Sequence, residues 1–99
     1  SDLLKQFALN DETFESILKL IFEQPIYLSD LPENVEIRFY QVLKFVYLIT
    51  EKDYKHRAQF LVFLSKIARN SFLNRFYIYK SHLIKLLKTI YLKDYLLMK

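Results

Sequence analysis

None of the 99 residues is glycine, and only two are proline. Soluble proteins usually contain about 7% glycine, which serves tight turns and close approaches of the backbone to a ligand. Its absence excludes the glycine-rich loops that cradle phosphates and the glycine-flanked serine of many hydrolases. Connections must therefore be short and built from Asn, Ser, Asp and Pro. Since apolar residues recur with helical spacing and strand-like alternation is not sustained anywhere, we predict an all-α fold.

The N-terminal third of the chain predicts two helices. Residues 3–8 have the apolar pattern of a short first helix. Asn10 is the expected N-cap of the second helix, and Pro25 ends that helix because the residue before a proline avoids the helical conformation. Apolar residues recur on one face of this helix at i, i+3, i+4, i+7 and i+8. They are Phe14, Ile17, Leu18, Ile21 and Phe22.

Residues 25–32 form the one extended connection that the sequence predicts. Asp30 and Glu33 after it have the spacing of a capping box. We therefore predict a long helix over about residues 31–51, contacted on more than one side and central to the fold. Its buried residues are expected to include Val42 and Val46.

Two further helices follow in the basic half of the chain. Thr50, with Asp53 three residues later, predicts the start of a helix over about residues 52–69. Asn70 is expected to end it in the left-handed conformation, and Ser71 to cap an uninterrupted last helix that begins near residue 72 or 75.

Both of these helices have faces that we expect to be buried. In the first, one face is Tyr54, Ala58, Leu61, Leu64 and Ala68, and a second is Phe60, Phe63 and Ile67. In the last helix the expected core residues are Phe76, Tyr79, Leu83, Leu86, Leu87, Ile90 and Leu97.

Short connections between these helices predict an antiparallel bundle of four to five helices. The alternative is a short HEAT-like segment of an α-solenoid, because Arg38 and Arg57 both lie early in helices. The sequences around these two arginines match poorly otherwise, and three clean repeats are not present.

Length and composition predict one helical domain over residues 1–99 that is a module of a larger protein or assembly. Apolar residues make up 53% of the chain and aromatic residues 17%, which is more than a small bundle is expected to bury alone. The chain has no cysteine, so it has no disulfides or thiolate ligands, and an intracellular location in cytoplasm or nucleus is expected. The sequence contains no long uncharged apolar segment, so no transmembrane helix is predicted.

Catalytic, metal-binding and cofactor-binding residues are not expected. Asp53 and His56 have the i, i+3 spacing of a helical metal-ligand pair, but His82 has no acid before it that would complete a second pair. A cap at the protein surface, near the start of a helix, explains Asp53 and His56 better. Ser81 and His82 are adjacent, so their side chains diverge on a helix and are not expected to act as a nucleophile and its base.

Charge is distributed unevenly along the chain. Residues 1–53 carry ten acids and five bases, whereas residues 54–99 carry one acid and ten bases, for a net charge of +4. Such asymmetry points to an acidic partner or nucleic acid, unless the two halves neutralise each other within the fold.

The last helix also predicts a basic stripe interleaved with tyrosines, facing away from the core. A protein partner or self-association is expected there, and a plain solvated face whose tyrosines cover neighbouring helices is the next interpretation. Nucleic-acid binding is the alternative function, and a membrane surface is the least favoured interpretation. No small-molecule substrate is predicted. The candidate partner-binding residues are Arg69, Arg75, Tyr77, Lys80, Lys85, Lys88, Tyr91 and Tyr95.

Overall fold

The computed structural model describes residues 9–98, and in this part of the chain it contains five α-helices and no β-strand. A 3-10 turn, Tyr40–Val42, leads into the second helix. The prediction of an all-α helical bundle is confirmed. The first helix that we predicted, over residues 3–8, lies outside the described residues. The helices are α1 Asp11–Phe22, α2 Leu43–Ile49, α3 Tyr54–Arg69, α4 Phe72–Lys80 and α5 Leu83–Met98.

Helix α1 begins and ends as the sequence predicts. The Oδ1 atom of Asn10 accepts a hydrogen bond from the Thr13 N–H at 2.7 Å, so Asn10 is the N-cap. Glu23 ends the helix in the left-handed conformation, with φ 55°, two residues before Pro25. The buried face consists of Phe14, Leu18, Ile21 and Phe22.

The core contains buried residues of all five helices and of the irregular segment before α2. The ring of Phe14 meets the ring of Phe60 edge-on at 6.2 Å between centroids, and Phe22 contacts Phe63 at 5.2 Å. All four of these residues are buried. Helix α3 buries Phe60, Phe63 and Ile67 as predicted, whereas Tyr54 and Ala58 of its other predicted face are exposed and Leu61 is half-buried.

The prediction of a long helix over residues 31–51 is wrong for the first part of this range. Residues 31–39 are irregular, and the helical segment begins only at Tyr40. Val46 is buried as expected, but Val42 is 36% exposed. The irregular segment is held by Asn74, whose side chain bonds to the backbones of Val35 and Ile37.

The caps of α3 and α4 differ in part from the prediction. Asp53 rather than Thr50 caps α3, accepting a hydrogen bond from the His56 N–H at 3.2 Å. Ser71 caps α4 as predicted, accepting from the Asn74 N–H at 3.1 Å. Asn70 lies between the two helices at φ −114°, so the left-handed conformation expected for this residue is not adopted.

The last helix that we predicted is broken at Ser81 and His82. His82 adopts φ 64°, a conformation in which asparagine, aspartate and histidine are enriched among non-glycine residues. The Ser81 hydroxyl donates to the Ile78 carbonyl at 2.6 Å and accepts from the Leu83 N–H at 3.2 Å. These two bonds satisfy backbone groups that the break would leave without partners.

The break changes which residues face the core. Helix α4 buries Asn74 and Ile78, so Phe76 and Tyr79, which we expected to be buried, are exposed. In α5, Leu83 is buried, Leu97 is exposed, and the remaining predicted core residues are half-buried. These are Leu86, Leu87 and Ile90.

Candidate interaction surfaces

The predicted basic stripe does not form one continuous surface, because it crosses the break between α4 and α5. Ser81, which lies i+4 from Tyr77 and would belong to the stripe on a continuous helix, is buried. Tyr77 is half-buried and its ring stacks on the ring of Tyr40, with 5.5 Å between centroids and 8° between planes. Tyr77 therefore contributes to the packing of α4 on the turn before α2.

The basic residues near α4 contact their own neighbours. The Nη1 atom of Arg75 donates to the carbonyls of Ala68 and Arg69 at 2.8 and 3.1 Å, so Arg75 caps the C-terminus of α3. The Nζ atom of Lys80 lies 5.7 Å from the centroid of the Phe76 ring. The side chain of Arg69 is exposed.

The C-terminal part of α5 exposes a concentration of apolar side chains. Residues 91–97, which we call the C-terminal arm, are all exposed. Lys85, Lys88, Tyr91 and Tyr95 of the candidate set are also exposed, on the same helix. The apolar and aromatic residues of the arm are Tyr91 (67% exposed), Leu92 (59%), Tyr95 (54%), Leu96 (62%) and Leu97 (76%).

An apolar groove lies between α3, α4 and α5. It has a volume of about 410 Å³ and is open to solvent. Three of its residues, Leu64, Ile78 and Leu83, belong to the core, and Ile84 is 42% exposed. The lining consists of Leu61, Leu64, Ser65, Ala68, Arg75, Ile78, Leu83, Ile84 and Leu87.

In the described part of the chain, no basic residue of α4 or α5 forms an ion pair with an acidic residue. The ion pairs between residues 9 and 98 are Glu36–Arg38, Asp11–Lys55 and two that involve His56. Within this range, Lys55 and His56 are the residues of the basic half that meet an acid of the acidic half. The two halves of the chain therefore neutralise each other at one place in the described structure, the start of α3.

His56 lies between two carboxylates at this place. Its Nδ1 atom is 2.6 Å from Asp53 Oδ2, and its Nε2 atom is 2.8 Å from Asp11 Oδ1. The His56 residue is 4% exposed and its ring lies 4.8 Å from that of Phe14. The hydrogen bond from His56, with the charge of Lys55, lowers the pKa of Asp11 below its ordinary value of 3.8.

The His56 cluster fastens α1 to α3. The two carboxylates sit at opposite nitrogens of the ring, so they do not converge on a point where a cation could bind. No group of three or more His, Cys, Asp or Glu side chains in residues 9–98 is arranged to hold a metal ion. The sequence indicated a cap that involves Asp53 and His56, but the prediction that it lies at the surface is wrong, because His56 is buried. Its contact with Asp11, 45 residues away, was not predicted.

The groove was also missed from the sequence. Apart from Ser65, its wall on α3 consists of residues that we assigned to a buried face. Apolar residues at helical spacing do not reveal whether a neighbouring helix covers them. Ser65 is the available signal, because it lies i+4 from Leu61 and three residues before Ala68, and serine is mostly found exposed in folded proteins.

None of the helices in residues 9–98 combines the length and the apolar character needed to span a membrane. Comparison with known proteins finds no family model, no curated protein and no solved structure that matches this chain. Any functional inference therefore depends on the surfaces described above.

Proposed function

We propose that this chain is a non-enzymatic helical module that binds another protein surface, or a second copy of itself, through exposed apolar side chains. The exposure of the apolar and aromatic side chains in the C-terminal arm supports this proposal. Leu92, Leu96 and Leu97 are each 59–76% exposed, and Tyr91 is 67% exposed. A helix with apolar residues on most of its sides is normally buried against other helices.

The size of the exposed apolar surface also supports a partner. Monomeric proteins rarely expose contiguous apolar patches larger than a few hundred Å². The arm exposes five large apolar or aromatic side chains on one helix, and Phe72, Tyr79 and Phe45 are each exposed by 62–74% on other helices. Tyrosine side chains act as anchors in protein interfaces because they bury large areas when a partner binds, and leucine side chains add apolar area around them.

A double substitution in the arm tests this proposal. We expect Leu92→Ser with Leu96→Ser to weaken association on the order of a hundredfold, because each leucine side chain contributes about 1–2 kcal/mol when it is buried. Both leucines are exposed, so the melting temperature should stay close to that of the parent chain. Sedimentation equilibrium measures self-association. A photo-crosslinking amino acid at position 92 identifies a different partner in cells, and its Kd is then measured with purified components.

The matched control uses Leu20, which is 69% exposed on α1. Leu20→Ser and a crosslinker at position 20 should leave association unchanged. A parent chain that stays monomeric and forms no crosslink from position 92 beyond those from position 20 would contradict the proposal.

Nucleic-acid binding is the second candidate, supported by the exposed basic residues of α4 and α5 that take part in none of the ion pairs described above. If it holds, changing Lys80, Lys85 and Lys88 to Glu should abolish binding of a single-stranded oligonucleotide. The slope of log affinity against log salt should fall by roughly 0.7–0.9 for each phosphate that the protein no longer neutralises.

The matched control changes three exposed lysines of the acidic half, Lys19, Lys44 and Lys52, to Glu, which alters the net charge by the same amount. Equal effects of the two triple changes would rule out a specific basic site.

A further inference from the structure

The apolar groove between α3, α4 and α5 has the dimensions of a binding site for a helix. Its wall on α3 runs from Leu61 to Ala68, which is roughly 10 Å or two helical turns. Its wall on α5 is formed by Leu83, Ile84 and Leu87. A helix laid along such a groove inserts apolar side chains at i, i+3 or i+4, and i+7.

The charges around the groove have one sign. Arg75 is part of the lining. Arg69 follows Ala68 and Lys88 follows Leu87, so each of these exposed bases lies about 100° around its helix from a lining residue. Helices α3 and α4 contain no acidic residue, and the one acid of α5, Asp94, lies seven positions beyond Leu87.

We propose that this groove binds an amphipathic helix of a partner protein, with an apolar stripe that fills the groove and acidic residues on both flanks. The apolar lining selects the stripe, and Arg69, Arg75 and Lys88 select the acidic flanks. Opposite charges at the edge of an interface accelerate association and exclude partners of the wrong charge. The inference rests on the proposed interaction function but assigns a different surface from the C-terminal arm.

A panel of synthetic helical peptides of about 18 residues tests the charge preference. Each peptide carries Leu, Ile or Phe at i, i+4 and i+7, and is made with Glu flanks, with Lys flanks and in scrambled order. Fluorescence anisotropy with the full chain should give binding to at least one Glu-flanked member. Its Lys-flanked counterpart should bind roughly tenfold more weakly or worse at low salt. If no Glu-flanked peptide binds more tightly than its Lys-flanked counterpart, the proposal is wrong.

Two substitutions test whether the peptide binds in the groove. Ser65→Tyr adds a large side chain to the lining at an exposed position, and Ile84→Ser removes an exposed apolar group. Both should weaken peptide binding roughly tenfold or more with helicity preserved. Ser29→Tyr, an exposed serine outside the lining, is the matched control and should bind like the parent chain. Binding that neither groove substitution changes would overturn the proposal.

Charge reversal at the groove edge has a matched control too. Arg69→Glu with Lys88→Glu should reverse the preference between Glu-flanked and Lys-flanked peptides. Lys19→Glu with Lys44→Glu changes net charge equally at exposed sites outside the lining and should preserve the preference. An equal effect of the two pairs would show general electrostatic attraction and contradict a specific site.

A second copy of this chain is the competing occupant. Sedimentation that reveals a dimer dissociated by Ser65→Tyr would assign the groove to self-association and overturn the acidic-helix proposal. If Leu92→Ser with Leu96→Ser abolishes association but no groove substitution changes peptide binding, the groove inference fails while the interaction function stands. If acidic peptides bind in the groove but the arm substitutions have no effect, the inference holds and the role of the arm fails.

Discussion

Asn74→Ala should reduce the free energy of unfolding by about 3–5 kcal/mol. The Asn74 side chain is 1% exposed and makes three hydrogen bonds to backbone groups. Its Nδ2 atom donates to the Val35 and Ile67 carbonyls at 2.8 and 3.0 Å, and its Oδ1 atom accepts from the Ile37 N–H at 2.9 Å. Alanine leaves these groups without their partner in a buried place, at about 1–3 kcal/mol for each unsatisfied group.

The effect should be large compared with the whole stability of a domain of this size, which is typically about 5–15 kcal/mol. We expect thermal unfolding followed by circular dichroism to give a melting temperature lower by more than about 10 °C. Asn74→Asp should also destabilise the protein, because an ionised carboxylate accepts hydrogen bonds but cannot donate to Val35 and Ile67. Asn34→Ala, at an exposed asparagine, is the control and should change little. Equal melting temperatures for the Asn74 and Asn34 variants would show that these bonds do not hold the irregular segment.

Asn74 also explains why part of the fold was not predictable from the sequence. Residues 31–39 carry the capping and apolar signals of a helix start, yet they are irregular. Their backbone is satisfied by a side chain 37–39 residues further along the chain, and a contact at that separation leaves no local pattern. In contrast, the caps by Asn10 and Ser71 were predictable because each bonds to the N–H of a residue three positions away.

The break between α4 and α5 is a second case in which local and tertiary signals differ. The segment from Phe76 to Leu87 contains neither glycine nor proline, so nothing in it required the helix to end. The Ser81 hydroxyl satisfies the backbone locally, and the resulting turn buries Leu83 in the core. A continuous helix predicted burial of Phe76 and Tyr79 and a single basic stripe. The break exposes those two residues, and α4 and α5 each carry part of the candidate set.

Some properties of the candidate surfaces could be predicted from the sequence. The excess of apolar residues and the basic C-terminal half indicated that some apolar surface and much positive charge would be exposed. The location of that surface depends on which helix faces remain uncovered, as with Leu61 and Ile84 in the groove. Packing between helices determines this, and residue spacing within one helix does not report it.

His56→Ala should reduce the free energy of unfolding by about 2–4 kcal/mol near neutral pH, because the packing of the ring is removed and a cavity remains. The ring is packed on Phe14 and joins Asp53 at the start of α3 to Asp11 at the start of α1. The two ring nitrogens contact both carboxylates, so removal of the ring breaks both contacts. Urea unfolding measures the change, and Tyr54→Ala, at a residue 79% exposed on the same helix, should cost much less.

The difference in unfolding free energy between the parent chain and His56→Ala should also depend on pH. The pKa of Asp11 is lowered in the folded protein, chiefly by its hydrogen bond from His56, so the Asp11 carboxylate stabilises the fold above its ordinary pKa of 3.8. This contribution disappears as the pH falls through the lowered value, because protonation removes the charge that His56 and Lys55 stabilise. In His56→Ala the largest cause of the lowered pKa is gone, so the variant has less of this contribution to lose. Unfolding measured from about pH 6 to about pH 2.5 should therefore show the two proteins converging on the acid side. Parallel curves over that range would mean that the contact between Asp11 and His56 does not couple α1 to α3 in solution.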